Sequence, residues 1–133
     1  MKKKVLSAVL ILFCVVILIL NFSFVRINNR DTAIARYVYA DKNITAEIST
    51  EDMKDIAEIL DGKRLSIFDL PSCGFDENVA VVIGSKTFCI ACDDCGTIYY
   101  KDKVIKGYIY LDADENEKIR TILESYGFVW PCV

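Results

Sequence analysis

The stretch Ile44-Thr45-Ala46-Glu47-Ile48-Ser49-Thr50-Glu51-Asp52-Met53-Lys54-Asp55-Ile56-Ala57-Glu58-Ile59-Leu60-Asp61-Gly62 changes its hydrophobic period part-way along. Up to Ile48 apolar and polar residues alternate, as in a half-buried strand. From Met53 onward the apolar residues Met53, Ile56, Ala57 and Leu60 fall at i, i+3, i+4 and i+7, the spacing of one helix face. Ser49 with Asp52 three residues on comes close to a capping box, and Asp61-Gly62 ends the helix. The same order recurs downstream. A strand from Val104 to Leu111 leads to a cap at Asp112 or Asp114, and Ile119, Ile122, Leu123 and Tyr126 repeat the helical spacing before Gly127. Aligning Ile48 with Leu111 places Ile56 on Ile119, Ile59 on Ile122 and Leu60 on Leu123 without a gap. A duplicated strand-helix unit would give this pattern, and so would two independent amphipathic helices that each follow a strand.

Between and before these units the chain reads as strands joined by polar turns. Ala33 to Tyr39 is β-rich and forms a hairpin with Ile44 to Ile48 across Asp41-Lys42-Asn43. Lys63 to Phe68 reads as a further strand, followed by the loop Leu70 to Phe75. Val79 to Ile83, Thr87 to Cys92 and Thr97 to Tyr100 then alternate with turns at Gly84-Ser85-Lys86, Asp93-Asp94-Cys95-Gly96 and Lys101-Asp102-Lys103. Two helices with one apolar stripe each need an apolar surface. The expected fold class is therefore α+β, a mainly antiparallel sheet with two amphipathic helices packed on one face.

The amino terminus is of another kind. Met1-Lys2-Lys3-Lys4 precedes an apolar run from Val5 to Leu20 with Ser7 as its one polar interruption and Asn21 as the first break. Counted through Phe22, Ser23, Phe24 and Val25, the run rises about 31 Å as a helix, against roughly 30 Å of bilayer core. A cleaved leader needs small residues soon after the apolar run, and the only A-x-A is Ala33-Ile34-Ala35. Phe13 before Cys14 argues against lipidation. Residues 1–25 are thus expected to form an N-terminal transmembrane helix, an uncleaved signal-anchor, with 26–32 a short linker and 33–133 the domain. Lys2 to Lys4 place the N-terminus in the cytoplasm and the domain outside, a single-pass cell-membrane protein with the membrane as partner through residues 5–25.

Charge narrows the remaining partners. All 19 acidic residues but only 11 of the 16 basic ones follow residue 30, a net of −8 that repels phosphate backbones. No nucleic-acid partner is expected; the charge reads foremost as a solvated surface that keeps the domain soluble, with attraction of a cationic partner as the functional alternative. The absence of histidine removes Ser-His and Cys-His pairs, HExxH and imidazole ligands. The carboxylates are scattered through turns and caps. No catalytic residue and no cofactor are expected.

Cysteine is the densest signal. Cys89, Cys92 and Cys95 form one cluster, with Cys73 upstream and Cys132 near the end. Three readings compete. An oxidising exterior favours disulfides among Cys73, Cys89, Cys92, Cys95 and Cys132; Cys73 with Cys132 is the expected pair, because both stand apart from the cluster. Alternatively, Cys92-x-x-Cys95-Gly96 has the spacing of a zinc knuckle that Cys73 and Cys132 could complete, although a ribbon needs two knuckles. A redox dithiol at Cys92 and Cys95 is disfavoured by Asp93 and Asp94, whose charges oppose a thiolate. Asp112-x-Asp114-x-Asn116 opens like a calcium loop but carries Glu117 where glycine is needed, so capping explains it better. Tyr37, Tyr39, Tyr99, Tyr100, Tyr108, Tyr110 and Trp130 are either sheet packing or a stacking surface for sugars or peptides.

At Pro71-Ser72-Cys73-Gly74-Phe75, Phe88 to Cys95 and Tyr126 to Cys132 the chain resembles a group of small, uncharacterised, membrane-anchored proteins of Gram-positive bacteria with a cysteine-containing extracytoplasmic domain. The resemblance covers roughly residues 44 to 133. It implies a bacterial envelope location and no mechanism, and it brings no catalytic residues with it. The expected function is a non-enzymatic binding or structural module that meets an envelope protein or ligand. The alternative is a thiol-dependent function, redox exchange or zinc binding through Cys89, Cys92 and Cys95.

Overall fold

Alternation and turn chemistry translate directly into a six-stranded antiparallel sheet. The computed structural model describes residues 2–132, without the side chains of residues 2 and 20–22. Helix α1 (Lys2–Phe22) is followed by β1 (Ala33–Tyr39), β2 (Lys42–Glu47), α2 (Thr50–Leu60), β3 (Val79–Ile83), β4 (Lys86–Ile90), β5 (Thr97–Lys101), β6 (Lys106–Tyr110) and α3 (Ala113–Ser125). The strand order is β2-β1-β3-β4-β5-β6, with every neighbouring pair antiparallel.

Register sorts the side chains onto two faces. The pairings Ala35↔Val81, Val81↔Phe88, Phe88↔Tyr100 and Ile98↔Ile109 run across one face, the inner one. These residues are buried and share one hydrophobic cluster with Met53, Ile56 and Leu60 of α2 and Ile119 and Leu123 of α3. Both amphipathic stripes therefore cover the same face. Ser49 caps α2 by accepting from the Asp52 amide. Asp112, rather than Asp114, caps α3 and forms a full capping box with Glu115. The helices are tied at their ends: Tyr126 Oη donates to Asp52 at 2.6 Å, and Lys63 Nζ lies 2.6 Å from Glu115.

The expected transmembrane helix is overturned: among the described residues, no helix is long and apolar enough to cross a membrane. The count from Val5 to Val25 included residues that the fold uses elsewhere. The Ser23 carbonyl accepts from the Leu65 amide, Phe24 is bridged to Arg64, and Val25 is 1% exposed in the core. The apolar run whose side chains are described, Val5 to Ile19, rises only about 22 Å. Asn21, read as the first break, lies outside the described side chains. The signal-anchor, the single-pass topology and the cell-membrane location all rested on that span, and they fall with it. What stands of the expected fold class is α+β with an antiparallel sheet.

The strap Ser23 to Ile27 instead pairs with residues 61 to 65. The Val25 amide donates to the Lys63 carbonyl at 2.9 Å, the Gly62 amide to Val25 at 2.9 Å, and the Ile27 amide to Asp61 Oδ1 at 2.8 Å. Lys63 to Phe68, read as a strand, is reduced to isolated bridges, Arg64 with Phe24 and Ser66 with Tyr108, the latter exchanging two backbone hydrogen bonds of 2.8 Å. Gly107 makes this approach possible, because a Cβ there would lie 2.7 Å from the Ser66 carbonyl oxygen and 2.9 Å from Leu65 Cγ.

Candidate functional site

Helices α2 and α3 both cover the inner face of the sheet, and the connection from α2 to β3 crosses the outer one. The pairings Ala80↔Cys89, Cys89↔Tyr99 and Tyr99↔Tyr108 set one row of side chains across β3 to β6 on that face. Beyond Ser66 the chain leaves the edge of β6 and turns back over this row. Phe75 descends onto it, with ring centroids 6.1 Å from Tyr99 and 5.6 Å from Tyr108, and these two tyrosines are 5.4 Å apart. The three rings are mutually tilted by 44 to 46°, an edge-biased cluster rather than a flat stack.

Between loop and sheet lies a cavity of about 390 Å³. Cys89, Tyr99 and Tyr108 line it from the sheet and Ile67, Leu70 and Phe75 from the loop, while Asp69, Glu77 and Lys106 bring charge to its wall. Asp69 accepts from Ser66 Oγ at 2.6 Å and from Tyr110 Oη at 3.0 Å. Those two hydrogen bonds hold its carboxyl below the usual carboxylate range. Burial, and then the bond to Asp69, pushes the Tyr110 phenol up. Glu77 is paired with Lys101 at 2.5 Å.

Cys89 is a free thiol with no exposed surface. Burial, with a further contribution from the Glu77 charge, pushes it up to about 11, so almost no thiolate exists at neutral pH. A carboxyl held low and a thiol held high are the reverse of a general acid and a nucleophile tuned for use at neutral pH. Nothing in the described residues indicates an enzymatic activity.

The remaining cysteines gather at the loop's attachment to the sheet. Cys73 is bonded to Cys95, closing 22 residues, and Cys92 to Cys132, closing 40. Chain-entropy arithmetic gives about 3 and about 4 kcal/mol for loops of these lengths. The expected pair of Cys73 with Cys132 is not formed, because loop and tail meet different ends of the turn between β4 and β5. The loop lies against the start of β5, where Cys73 Sγ is 3.8 Å from Thr97 Oγ1. The tail lies against the end of β4, where the Cys132 amide donates to the Cys92 carbonyl at 3.2 Å. Cys92 and Cys132 are buried, Cys73 is half-buried and Cys95 exposed.

These pairings also decide how the thiol-ligand sets stand. Cys73, Cys92, Cys95 and Cys132 occur as two disulfides, and of the cluster Cys89 is free while Cys92 and Cys95 belong to different bridges. Among the described residues, Cys73, Asp93 and Cys95 alone converge within 4.8 Å in a metal-like group, and both of its sulfurs belong to the disulfide.

Sequence reasoning missed the residue that holds this turn. Arg120, on the polar side of α3, donates to the Ala91 carbonyl at 3.3 Å, to the Asp93 carbonyl and to the Asp94 carboxylate, and its guanidinium stacks 4.7 Å from the Trp130 ring centroid. Asp94, read as a charge beside the sulfurs, is thus paired with Arg120. The contact links residues 26 positions apart and leaves no local signature. The aromatic set divides likewise. Tyr37 and Tyr100 are buried on the inner face, Tyr99 and Tyr108 line the outer cavity, Tyr110 flanks it through Asp69, and Trp130 sits under Arg120.

Compared with known proteins, the chain matches no family model, no curated protein and no solved structure.

Proposed function

We propose that this chain is a non-enzymatic, disulfide-braced binding module of an oxidising, extracytoplasmic setting, and that its ligand enters the outer-face cavity. The carrying observation is the cavity itself, a small aromatic recess walled by Phe75, Tyr99 and Tyr108 with the ionised Asp69 at its side. Small-molecule sites are concave and largely apolar, with a few fixed polar groups. Two disulfides in so small a domain fit an oxidising compartment.

The chemistry favours an apolar or aromatic group that carries positive charge, such as a basic side chain of a partner. Aromatic faces attract cations, Asp69 has no ion-pair partner among the described residues, and the chain after residue 30 is strongly acidic. The thiol-dependent alternative is weaker, because the one free thiol of the cluster is buried and protonated.

The test is a titration followed by NMR of the tyrosine rings, with benzylammonium and benzoate as probes of equal size and opposite charge. Benzylammonium is expected to shift the Tyr99 and Tyr108 ring signals and benzoate to shift them far less. Tyr99→Ala should abolish the response. No shift with either probe would remove the cavity as the binding site.

A further inference from the structure

The connection that roofs the cavity is held in an unusual way. From Ile67 to Asn78 it forms no helix or strand, and two of its large apolar side chains are almost fully exposed: Phe68 is 95% exposed and Leu70 91%. Those residues cannot hold the loop down. Near its two ends it is attached by the Tyr110 hydroxyl to Asp69, by the Lys101 pair with Glu77 and by the Val38 amide to the Asn78 carbonyl, and its middle is attached at three consecutive residues. Cys73 is bonded to Cys95, the Gly74 carbonyl accepts from the Cys92 amide at 3.3 Å, and Phe75 packs on Tyr99 and Tyr108. The disulfide is the covalent attachment of this middle part, and the other two contacts are made by the residues that follow it. The bridge is also the accessible one of the pair, with Cys95 exposed, whereas Cys92 and Cys132 are buried.

We propose that the Cys73–Cys95 bridge is a redox latch on the outer-face cavity: a dithiol that reduces it releases the loop from β5, opens the cavity and uncovers Cys89. In this step the reductant's thiolate attacks one sulfur and the Cys73–Cys95 bond breaks. The reductant's second thiol then displaces the mixed disulfide, leaving two protein thiols and the reductant as its own disulfide. Two electrons pass to the protein, and the buried bridge Cys92–Cys132 keeps the tail in place. The inference deepens the reading of this cavity as the ligand site, but the latch is tested without any ligand, so either can fail alone.

Cys89 reports the state of the latch from within, since it lies on the cavity wall with no exposed surface, and the exposed Cys14 is an internal reference. Each is alkylated with N-ethylmaleimide and followed by peptide mass spectrometry. In the oxidised chain Cys14 should react at once and Cys89 slowly, at the rate of local opening. In Cys73→Ser/Cys95→Ser the Cys89 rate should rise by about tenfold or more, as expected for a cheaper local opening. Cys92→Ser/Cys132→Ser, which removes the other bridge, should leave the Cys89 rate within about twofold. Brief dithiothreitol treatment of the wild-type chain, quenched while Cys92–Cys132 is still intact, should reproduce the fast rate without any substitution. An unchanged Cys89 rate after loss of Cys73–Cys95 would overturn the latch. So would an equal rise after loss of either bridge, which would mean general loosening.

Discussion

The two faces of the sheet are closed by different physics. On the inner face Phe88, Ile98 and Ile109 meet the stripes of α2 and α3, and the result is one continuous core. On the outer face the row Cys89, Tyr99 and Tyr108 is covered by a loop fastened through separate contacts, among them a disulfide, the Phe75 ring, the Asp69–Tyr110 hydrogen bond and the Glu77–Lys101 pair, and a cavity remains beneath it. Helices bring a periodic apolar surface that fills the spaces between strand side chains, whereas a loop brings isolated contacts. Space for a ligand is therefore expected on the outer face, and resistance to unfolding on the inner one.

Substitution can break this contrast. Phe88→Ala, at a site with no exposed surface, should cost about 4 kcal/mol in denaturant unfolding, while Tyr99→Ala across the sheet should cost far less. Comparable losses would mean that the outer face is a second core. Next in size is Gly107→Ala. Its Cβ would collide with the Ser66 carbonyl where the loop first joins β6, so a loss of about 2 kcal/mol is expected in thermal or denaturant melts. Faster hydrogen exchange at the Ser66 and Tyr108 amides should accompany it; a neutral effect would show that the Leu65–Ser66 segment yields.

The smallest expected effect sharpens the comparison through pH. Hydrogen bonds from Ser66 and Tyr110 depress the Asp69 carboxyl in the folded state. Its contribution is therefore present above the unfolded value of about 3.9 and is lost as pH falls through the lower folded value. Asp69→Asn should flatten this acid limb slightly and leave the melting temperature at neutral pH nearly unchanged. A large change at neutral pH would mean that Asp69 braces the loop more firmly than its exposed position suggests.

Legibility followed the same division. Met53, Ile56, Ala57 and Leu60 announced α2, and Ile119 with Leu123 announced α3, because a helix that covers a sheet must repeat its apolar residues at helical spacing. Tyr126, read as the end of the second stripe, packs against the core, and it also caps the helix and hydrogen-bonds Asp52. The outer cavity was far less visible. Its walls come from a loop without periodicity and from strand residues whose alternation shows that Tyr99 and Tyr108 lie away from the helices but not what lies over them. Disulfide pairing was equally opaque, since spacing along the chain does not say that the tail meets β4 while the loop meets β5. The apolar N-terminus misled for a related reason. Hydropathy counted Phe24 and Val25 with the run before them, and nothing local reveals that Val25 belongs to the core.

The strap at Ser23 to Ile27 bears on where the chain may be cut. Val25 fills the core, its amide and carbonyl close two hydrogen bonds to residues 62 and 63, and the Ser23 carbonyl secures Leu65. A recombinant fragment begun at residue 33, at the visible onset of the first strand, would discard a buried valine. It would also orphan the Gly62 and Leu65 amides at the root of the loop that roofs the cavity. A fragment begun at or before residue 23 retains them, so the first usable boundary lies where hydropathy alone would still place the apolar leader.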